Sequence, residues 1–162
     1  INNQFNGEIP ETIGNLVNLV SFNGGYNQLT GEIPESIGNM ISLERLWLNF
    51  NYLNGGVPIS ICNLDMLNWS AYGFEGDESY LNNNRLCPPY PVCVNDYMGE
   101  QDIHECPEIQ IGDLNDDGML DVLDIVLMIN MVFSDEYSLI ADMNEDGIIN
   151  ILDVVAIVNI LV

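Results

Sequence analysis

Two short acidic segments, residues 113–124 and 142–153, carry oxygen side chains in the same order. Both have Asp or Asn at positions 1, 3, 5, 9 and 12, the places from which oxygen ligands surround a hard cation. The side chains concerned are Asp113, Asn115, Asp117, Asp121 and Asp124, and then Asp142, Asn144, Asp146, Asn150 and Asp153. The backbone carbonyl of position 7, in Met119 and in Ile148, would complete each shell. We therefore expect two calcium ions, one in each segment.

The spacing matches the twelve-residue loop of EF-hand proteins, in which a glycine at position 6 allows a sharp turn. Gly118 and Gly147 hold that position here. The last ligand is Asp rather than the bidentate Glu of sensor EF-hands, so we expect one ion contact to be monodentate or water-mediated. The alternative is an acidic turn that only water solvates. It does not account for Asp, Asn and Gly at every required position of both copies.

Residues 112–162 resemble a type I dockerin, which consists of two loop–helix halves related by pseudo-symmetry. Besides the ligand and glycine positions, the halves match at three further pairs, namely Leu123 and Leu152, Val126 and Val155, and Asn130 and Asn159. The resemblance implies a small all-α module with tandem EF-hand-like loops, which binds calcium in order to fold. It also implies docking into cohesin domains on scaffold proteins, and hence a function in adhesion.

The helices that follow the loops depart from this family. Cellulosomal dockerins commonly present Ser-Thr to the cohesin at loop positions 10 and 11. Those positions are Val122 and Leu123 in one half and Ile151 and Leu152 in the other. Both helices are apolar nearly all round, which is typical of a helix buried on every side. A module of about fifty residues has little interior. We therefore expect these four residues to contact the N-terminal part of the chain or another protein.

The first sixty residues repeat with a period of 24, which lies in the range of leucine-rich repeats. The aligned columns include Gly7, Gly31 and Gly55, then Pro10, Pro34 and Pro58, and then Asn15, Asn39 and Asn63. The run from Asn27 to Met40 resembles plant-type leucine-rich repeats, and the resemblance covers residues 1 to about 90. Short parallel strands would point alternate side chains inward. Asn3, Asn27 and Asn51 would form a ladder that bonds backbone groups. The predicted fold of this part is an α/β-type solenoid.

The last turn departs from the period, because Asn84-Arg85-Leu86 repeats the signature of Asn51-Tyr52-Leu53 after 33 residues rather than 24. We expect the extra residues to lie within residues 72–80. The segment 86–93 that follows contains two cysteines and resembles the C-terminal cap of this repeat family. A cap closes the apolar end of a stack that otherwise has no neighbour.

The four cysteines, Cys62, Cys87, Cys93 and Cys106, allow three disulfide pairings. Proximity in the sequence favours Cys62 with Cys87 and Cys93 with Cys106. Two disulfides indicate an oxidising, extracellular setting. A zinc site is the weaker alternative, because His104 is the only histidine and two cysteines separated by five residues are not a usual zinc spacing.

These observations divide the chain into a leucine-rich repeat solenoid with its cap at residues 1–94, a connector at residues 95–111 and a dockerin-like calcium-binding domain at residues 112–162. The chain starts in mid-repeat, so we expect either that residues upstream are missing or that another molecule covers the first turn. Trp47 and Trp69 would face solvent on the solenoid strands. There they could stack on sugars or anchor a protein, or simply cover the sheet.

The charge of the chain limits its partners. Its 162 residues include 25 acidic and two basic side chains, for a net charge of −23. DNA, RNA and anionic membranes require clustered Lys and Arg, so the composition argues against all three. The apolar runs at residues 122–133 and 148–162 are interrupted by Asp and Asn and are too short to span a bilayer. We expect a secreted, extracellular or cell-surface protein, from a bacterium.

Catalysis finds little support, because His104 stands alone and most clustered carboxylates belong to the metal loops. We expect a non-catalytic protein that assembles in a calcium-dependent way. The favoured form is head-to-tail self-assembly into a filament, in which the C-terminal module or capped end of one copy covers the open solenoid of the next. The alternatives are attachment to a cohesin-like receptor and, third, the C-terminal tail of a larger secreted enzyme.

Overall fold

The computed structural model describes residues 3–71, 78–107, 110–115, 117–134 and 137–162. Its contacts fall into two units, Ile1–Cys106 and Pro107–Val162. The first, called the repeat unit below, contains strands and short 3₁₀ helices. The second, called the C-terminal module, contains two α-helices. Residues 72–77, where the sequence places most of the insertion in the last turn, lie outside the described residues.

In the part of the repeat unit that the structure describes, six short strands form two parallel sheets. The strands are β1 (Asn6–Glu8), β2 (Ser21–Asn23), β3 (Gln28–Gly31), β4 (Arg45–Trp47), β5 (Tyr52–Gly56) and β6 (Arg85–Cys87). One sheet has the order β1-β3-β5-β6, and β2 pairs with β4 in the other. Gly7 lies opposite Leu29, and Phe22 lies opposite Leu46. In both pairs the separation along the chain is within two residues of the 24-residue period. The leucine-rich repeat fold predicted from the sequence is confirmed.

The turns are completed by 3₁₀ helices, each of which directly follows a proline. These helices are Glu11–Asn15, Glu35–Asn39 and Ile59–Asn63. Successive 3₁₀ helices approach each other closely, since a Cβ built on Gly38 would lie only 2.3 Å from the carbonyl oxygen of Ser60. A glycine in this column therefore allows the turns to stack.

Leucine and isoleucine side chains from every turn fill the interior of the repeat unit. In β4, Leu46 is fully buried between two half-buried neighbours, which is the period-two pattern of a strand with one face inward. Other fully buried side chains are Ile37, Leu43, Leu48, Leu53, Ile61, Leu81 and Leu86.

Asparagine side chains join each turn to the one before it. Asn27, Asn51 and Asn84 each donate from Nδ2 to two backbone carbonyls at 2.9–3.0 Å. Each also accepts at Oδ1 from a backbone N–H of the preceding turn; for Asn51 this is Leu29 N–H, at 2.9 Å. The ladder predicted for Asn3, Asn27 and Asn51 is confirmed at Asn27 and Asn51, whereas Asn3 is exposed; Asn84 continues the ladder.

Gln101 forms the next rung of this ladder. Its Nε2 donates to the Met98 and Leu81 carbonyls at 2.8 and 3.0 Å, and its Oε1 accepts from Leu86 N–H at 3.3 Å. Gln101 also pairs with Asn84 through a β-bridge. The contacts thus group residues 95–106, which the sequence assigns to a connector, with the repeat unit.

Replacing Asn51 with alanine should destabilise the repeat unit strongly. The substitution leaves the Leu29 N–H without its partner, at a cost of about 1–3 kcal/mol, and removes one of two hydrogen bonds from each of the Gly24 and Leu48 carbonyls, which keep those from Asn27 and Asn84. We expect the free energy of unfolding in urea to fall by about 2 kcal/mol. The control is the exposed Asn54→Ala, which should change it by less than about 0.5 kcal/mol. Equal losses in both variants would contradict the ladder as a source of stability.

All four cysteines are bonded, but not in the predicted pairs. The structure joins Cys62 to Cys93 and Cys87 to Cys106, with Cα–Cα distances of 5.7 and 5.5 Å. The pairing of Cys62 with Cys87 and of Cys93 with Cys106 is therefore wrong. Cys62 lies in a 3₁₀ helix, whereas Cys87 lies at the end of β6. The chain returns to the neighbourhood of Cys62 only at Cys93. Residues that contact each other in a solenoid occupy similar positions in successive turns. The distance between two cysteines along the chain does not reveal those positions.

Peptide mapping without reduction should recover fragments linked as Cys62–Cys93 and Cys87–Cys106. Removing one bond by Cys62→Ala with Cys93→Ala should lower the stability of the repeat unit by about 2–5 kcal/mol. The C-terminal module contains no cysteine, so its melting transition serves as the internal control. A fragment that links Cys62 to Cys87 would contradict the structure.

The C-terminal module packs two helices, α1 (Val122–Ser134) and α2 (Ile151–Leu161), around a small core. Met128 and Ile157 are fully buried at equivalent places in the two helices. Ala141 and Val154 complete the buried cluster. Among the described residues, no helix combines the length and hydropathy that crossing a membrane requires.

Candidate metal centre

The first carboxylate of each acidic segment is held by the turn that follows it. Asp113 accepts hydrogen bonds from the N–H groups of Asp117 and Gly118 at 3.2 and 2.8 Å. Asp142 accepts from the equivalent groups at 3.1 and 2.8 Å. Both carboxylates are buried. Gly118 and Gly147 have φ angles of +80° and +83°, in the left-handed region that glycine adopts without strain.

The last carboxylate of each segment connects the loop to a helix. Asp124 is fully buried and accepts at Oδ1 from Leu114 N–H at 2.8 Å and at Oδ2 from Asp121 N–H at 2.9 Å. Asp153 makes the same contacts with Met143 and Asn150, at 2.9 and 2.8 Å. Each loop is thereby closed onto the first turn of α1 or α2, so the shape of the loop and the placement of the helix are fixed together.

The hydrogen bonds to Asp124 also determine its protonation. Burial alone would raise its pKa, but hydrogen bonds from the N–H groups of Asp121, Leu114 and Asn115 outweigh burial and lower the pKa. The buried carboxylate is therefore charged at neutral pH.

The middle of each loop carries exposed oxygens. Asn115 Oδ1 accepts from Asp117 N–H at 3.0 Å, while its Nδ2 donates to Asp117 Oδ2 at 2.8 Å. Asn144 and Asp146 repeat this arrangement at 3.1 and 3.0 Å. In the part of the chain that the structure describes, no three His, Cys, Asp or Glu side chains converge as a ready metal-binding group. The oxygens of each loop are instead held by amides of the loop itself.

The donor set fits a hard cation. Residues 107–162 contain twelve acidic side chains and no basic one. Four carboxylates, Asp113, Asp124, Asp142 and Asp153, are buried without a cationic side chain in the module to offset them. Burying unpaired charge costs several kcal/mol per ion, so an external cation is the available counter-charge. The Met119 and Ile148 side chains are exposed, so these two residues would contribute only their backbone carbonyls.

Tyr137 is a neighbour of the second loop that sequence reasoning missed. Its hydroxyl donates to Asp142 Oδ2 at 2.9 Å. Burial, the hydrogen bond to Asp142 and the nearby charges of Asp142, Asp146 and Asp153 all raise the pKa of the hydroxyl. The 29-residue spacing of the loops identifies the position before the first loop that is equivalent to Tyr137. That position is occupied by Glu108. Glu108 lies outside the described residues.

Of the six residues predicted to bind a partner, the four that belong to the module are exposed. Val122 and Leu123 are 65% and 55% exposed, and Ile151 and Leu152 are 63% and 58% exposed. Val126 and Val155, one turn further along their helices, are also exposed. The helices therefore bury one row of side chains and leave equivalent apolar rows, called the helix faces below, on their outer sides.

The two tryptophans lie in the repeat unit and are half-buried. The indole N–H of Trp47 donates to the Glu78 carbonyl at 2.6 Å, and Trp69 packs against the leucine-rich core. Both rings thus contribute to the structure of the last turn.

The repeat unit also has an open depression of about 390 Å³ beside Arg85 and Tyr52. Arg85 lies 5.6 Å from the centre of the Tyr52 ring and 4.0 Å from Asp102. Asp102 accepts a hydrogen bond from the exposed His104, which lowers the pKa of the carboxyl and raises that of the imidazole. Three of the amides that line the depression, Asn51, Asn84 and Gln101, are rungs of the ladder and already serve the structure of the repeat unit.

Fold and loops together define a leucine-rich repeat solenoid joined to a small acidic loop–helix module. Residues 111–162 match the family model of the dockerin type I domain, and residues 42–64 match that of the leucine rich repeat. The chain thus contains leucine-rich repeats and a dockerin type I domain, as predicted. Dockerin type I domains bind calcium. No curated protein matches the chain.

Solved structures that are similar to this chain include ectodomains of plant receptors. The complex PEPR1–AtPEP1 shares 27% identity over 61% of this chain and 13% of its own length, with a TM-score of 0.50. The leucine-rich repeat ectodomain of the receptor kinase GASSHO1/SCHENGEN3 from Arabidopsis thaliana shares 34% identity over 52% of this chain and 9% of its own, with a TM-score of 0.46. The BIR2 ectodomain from Arabidopsis thaliana has 27% identity, 61% and 51% coverage and a TM-score of 0.46. This chain thus spans about a tenth of the length of the first two.

Replacing Asp124 or Asp153 with alanine should unfold the corresponding half of the module. Each substitution removes a charged acceptor of hydrogen bonds, and such bonds contribute about 1.5–3 kcal/mol each. In saturating calcium, we expect the free energy of unfolding of the module to fall by about 3 kcal/mol or more. Glu145→Gln removes one charge from an exposed side chain of the second loop and is the matched control. If it lowers the stability as much, general charge rather than loop geometry is responsible.

Proposed function

We propose that this chain is a non-catalytic extracellular assembly protein, in which a calcium-loaded dockerin module docks the repeat unit onto a protein partner. The observation that carries the proposal is the pair of exposed apolar helix faces at equivalent positions of α1 and α2. The two disulfides support an extracellular location. A bacterial source stays a prediction.

The proposal includes two calcium ions, one in each EF-hand-like loop. The first would be held by Asp113, Asn115, Asp117, Asp121 and Asp124 with the Met119 carbonyl, and the second by Asp142, Asn144, Asp146, Asn150 and Asp153 with the Ile148 carbonyl. Buried carboxylates without a basic partner support this assignment. The glycine turns at position 6 of both loops support it as well.

Calcium would control docking through the connection between loop and helix. Asp124 and Asp153 are at once the last residues of the loops and members of the first turns of α1 and α2. In α2, Asn150 caps the helix by accepting from Leu152 N–H at 2.8 Å. An ion that stabilises the loop therefore also stabilises the end of the helix that presents Ile151 and Leu152.

The helix faces suit a partner with an apolar surface. Each Val, Leu or Ile that becomes fully buried contributes roughly 1.5–3 kcal/mol. Because the module is strongly acidic, a partner with basic residues around that apolar surface would associate faster and more selectively. The dockerin match supports a cohesin-like domain as this partner. The apolar residues at loop positions 10 and 11 mean that the partner would differ from cohesins that read Ser-Thr.

Head-to-tail self-assembly is the second candidate, and the first turn of the solenoid favours it. Phe5, Leu16, Val17 and Val20 are exposed there, and β1 pairs only with β3 among the described strands. An apolar edge of this kind pairs readily with a further strand, of the same polypeptide or of another copy. The charge of the protein opposes this candidate, since a second copy also has 25 acidic and two basic side chains. We therefore place the cohesin-like partner first.

Sedimentation of the full chain in millimolar calcium and in excess chelator tests the proposal. We expect a monomer that binds a purified type I cohesin domain in calcium and releases it in chelator. Leu123→Asp with Leu152→Asp should reduce this binding at least 10-fold. Ile41→Asp, an equally exposed apolar site in the repeat unit, should leave it unchanged.

Different outcomes separate the candidates. Filaments in negative stain that disappear in chelator and with Leu16→Asp would favour self-assembly over the cohesin-like partner. Binding to cohesin that persists in chelator would contradict calcium control. A chain that stays monomeric in calcium and binds no cohesin would contradict both candidates.

A further inference from the structure

The second acidic loop has a hydrogen-bond donor that belongs to neither the loop nor its helix. Tyr137 lies five residues before Asp142, and its hydroxyl donates to Asp142 Oδ2 at 2.9 Å. A tight turn fixes the distance between the two residues. In it, the N–H groups of Ala141 and Asp142 both donate to the Ser138 carbonyl, at 3.1 and 3.2 Å.

The hydrogen bonds of Asp142 leave its two oxygens in different states. A carboxylate oxygen has two acceptor positions. Oδ2 uses both, because it accepts from Tyr137 and from Gly147 N–H at 2.8 Å. Oδ1 accepts only from Asp146 N–H, at 3.1 Å, among the described residues. Oδ1 is therefore the oxygen with a position open to a cation.

The first loop does not repeat this arrangement in its described residues. There, Asp113 accepts one hydrogen bond at each oxygen, from Asp117 and Gly118. With respect to the described residues, each of its oxygens therefore retains one open acceptor position. The two loops match in their ligand residues but differ in how strictly the first ligand is oriented.

We propose that Tyr137 is a positioning residue for calcium in the second loop, which holds the Asp142 carboxylate so that Oδ1 faces the ion. This inference rests on the proposed binding of calcium by both loops. Partners of metal ligands typically change metal affinity 10–100-fold when they are removed. Tyr137 thus makes the two calcium sites unequal, with the second site dependent on a residue outside its loop.

Calorimetric titration of the calcium-free full chain with calcium chloride tests the inference in matched backgrounds. Asp113→Asn disables the first loop and isolates the second, whereas Asp142→Asn isolates the first. We expect Tyr137→Phe to weaken calcium binding about 10-fold in the Asp113→Asn background. It should leave calcium binding unchanged in the Asp142→Asn background. Tyr97→Phe, in the cap of the repeat unit, is the control and should change neither.

The outcomes distinguish positioning from a structural role and from failure of the proposed function. Equal weakening in both backgrounds, or no weakening in either, would overturn the inference while two ions still bind. A wild-type chain that binds no calcium would overturn the proposed function and the inference with it. If the Asp113→Asn chain does not fold, chelator-induced calcium release from the Tyr137→Phe chain replaces the titration. Acceleration of one of two release phases supports the inference, and unchanged or equally accelerated phases overturn it.

Discussion

The C-terminal module has a charge imbalance that its own side chains cannot correct. Residues 107–162 contain twelve acidic and no basic side chains, and four of the carboxylates are buried. Backbone N–H groups orient these carboxylates and stabilise their charged form, but they add no counter-charge. Removing ions from water costs several kcal/mol each unless a counter-charge is present. In the proposed function a cation from solution would supply the counter-charge, and its binding would then be coupled to the folding of this module.

The buried amides of the ladder in the repeat unit find their partners without any ion. Asn27, Asn51, Asn84 and Gln101 are neutral amides whose donors and acceptors match backbone groups of adjacent turns. Each rung contacts only its neighbours, so the stability of this unit is a sum of local terms. Under the proposed function, changes in calcium concentration would therefore act on the C-terminal module. The repeat unit, held by hydrogen bonds, apolar packing and two disulfides, would retain its structure with or without calcium.

The features that could be predicted from the sequence were those whose residues recur at a fixed spacing. The 24-residue period gave the solenoid and the ladder at Asn27 and Asn51, and the 29-residue spacing gave two equivalent loops. The disulfide pairs were wrong because Cys62 and Cys93 meet only after the chain completes an irregular turn. Gln101 was missed because it serves as a ladder rung 17 residues after Asn84, with a different amide side chain. Tyr137 was missed because its hydrogen bond to Asp142 comes from outside the repeated motif.

The charge of the module also bears on the choice of partner. Two divalent ions would offset four of its twelve negative charges, so calcium would reduce repulsion while it ordered the helix faces. The remaining charge still repels a second acidic copy, whereas a foreign surface with basic residues around an apolar centre is attracted by it.

Binding of calcium and binding of a partner would be linked reciprocally. A partner that binds only the calcium-ordered helices would raise the affinity for calcium by the same factor by which calcium raises the affinity for the partner. At a calcium concentration 100 times the dissociation constant, one site contributes about 2.7 kcal/mol to the ordered state. Two sites of unequal affinity would fill at different calcium concentrations. Their contributions to the ordered state would therefore be spread over a range of calcium concentrations. The helix face of α1 and that of α2 would become available for docking at different points within that range.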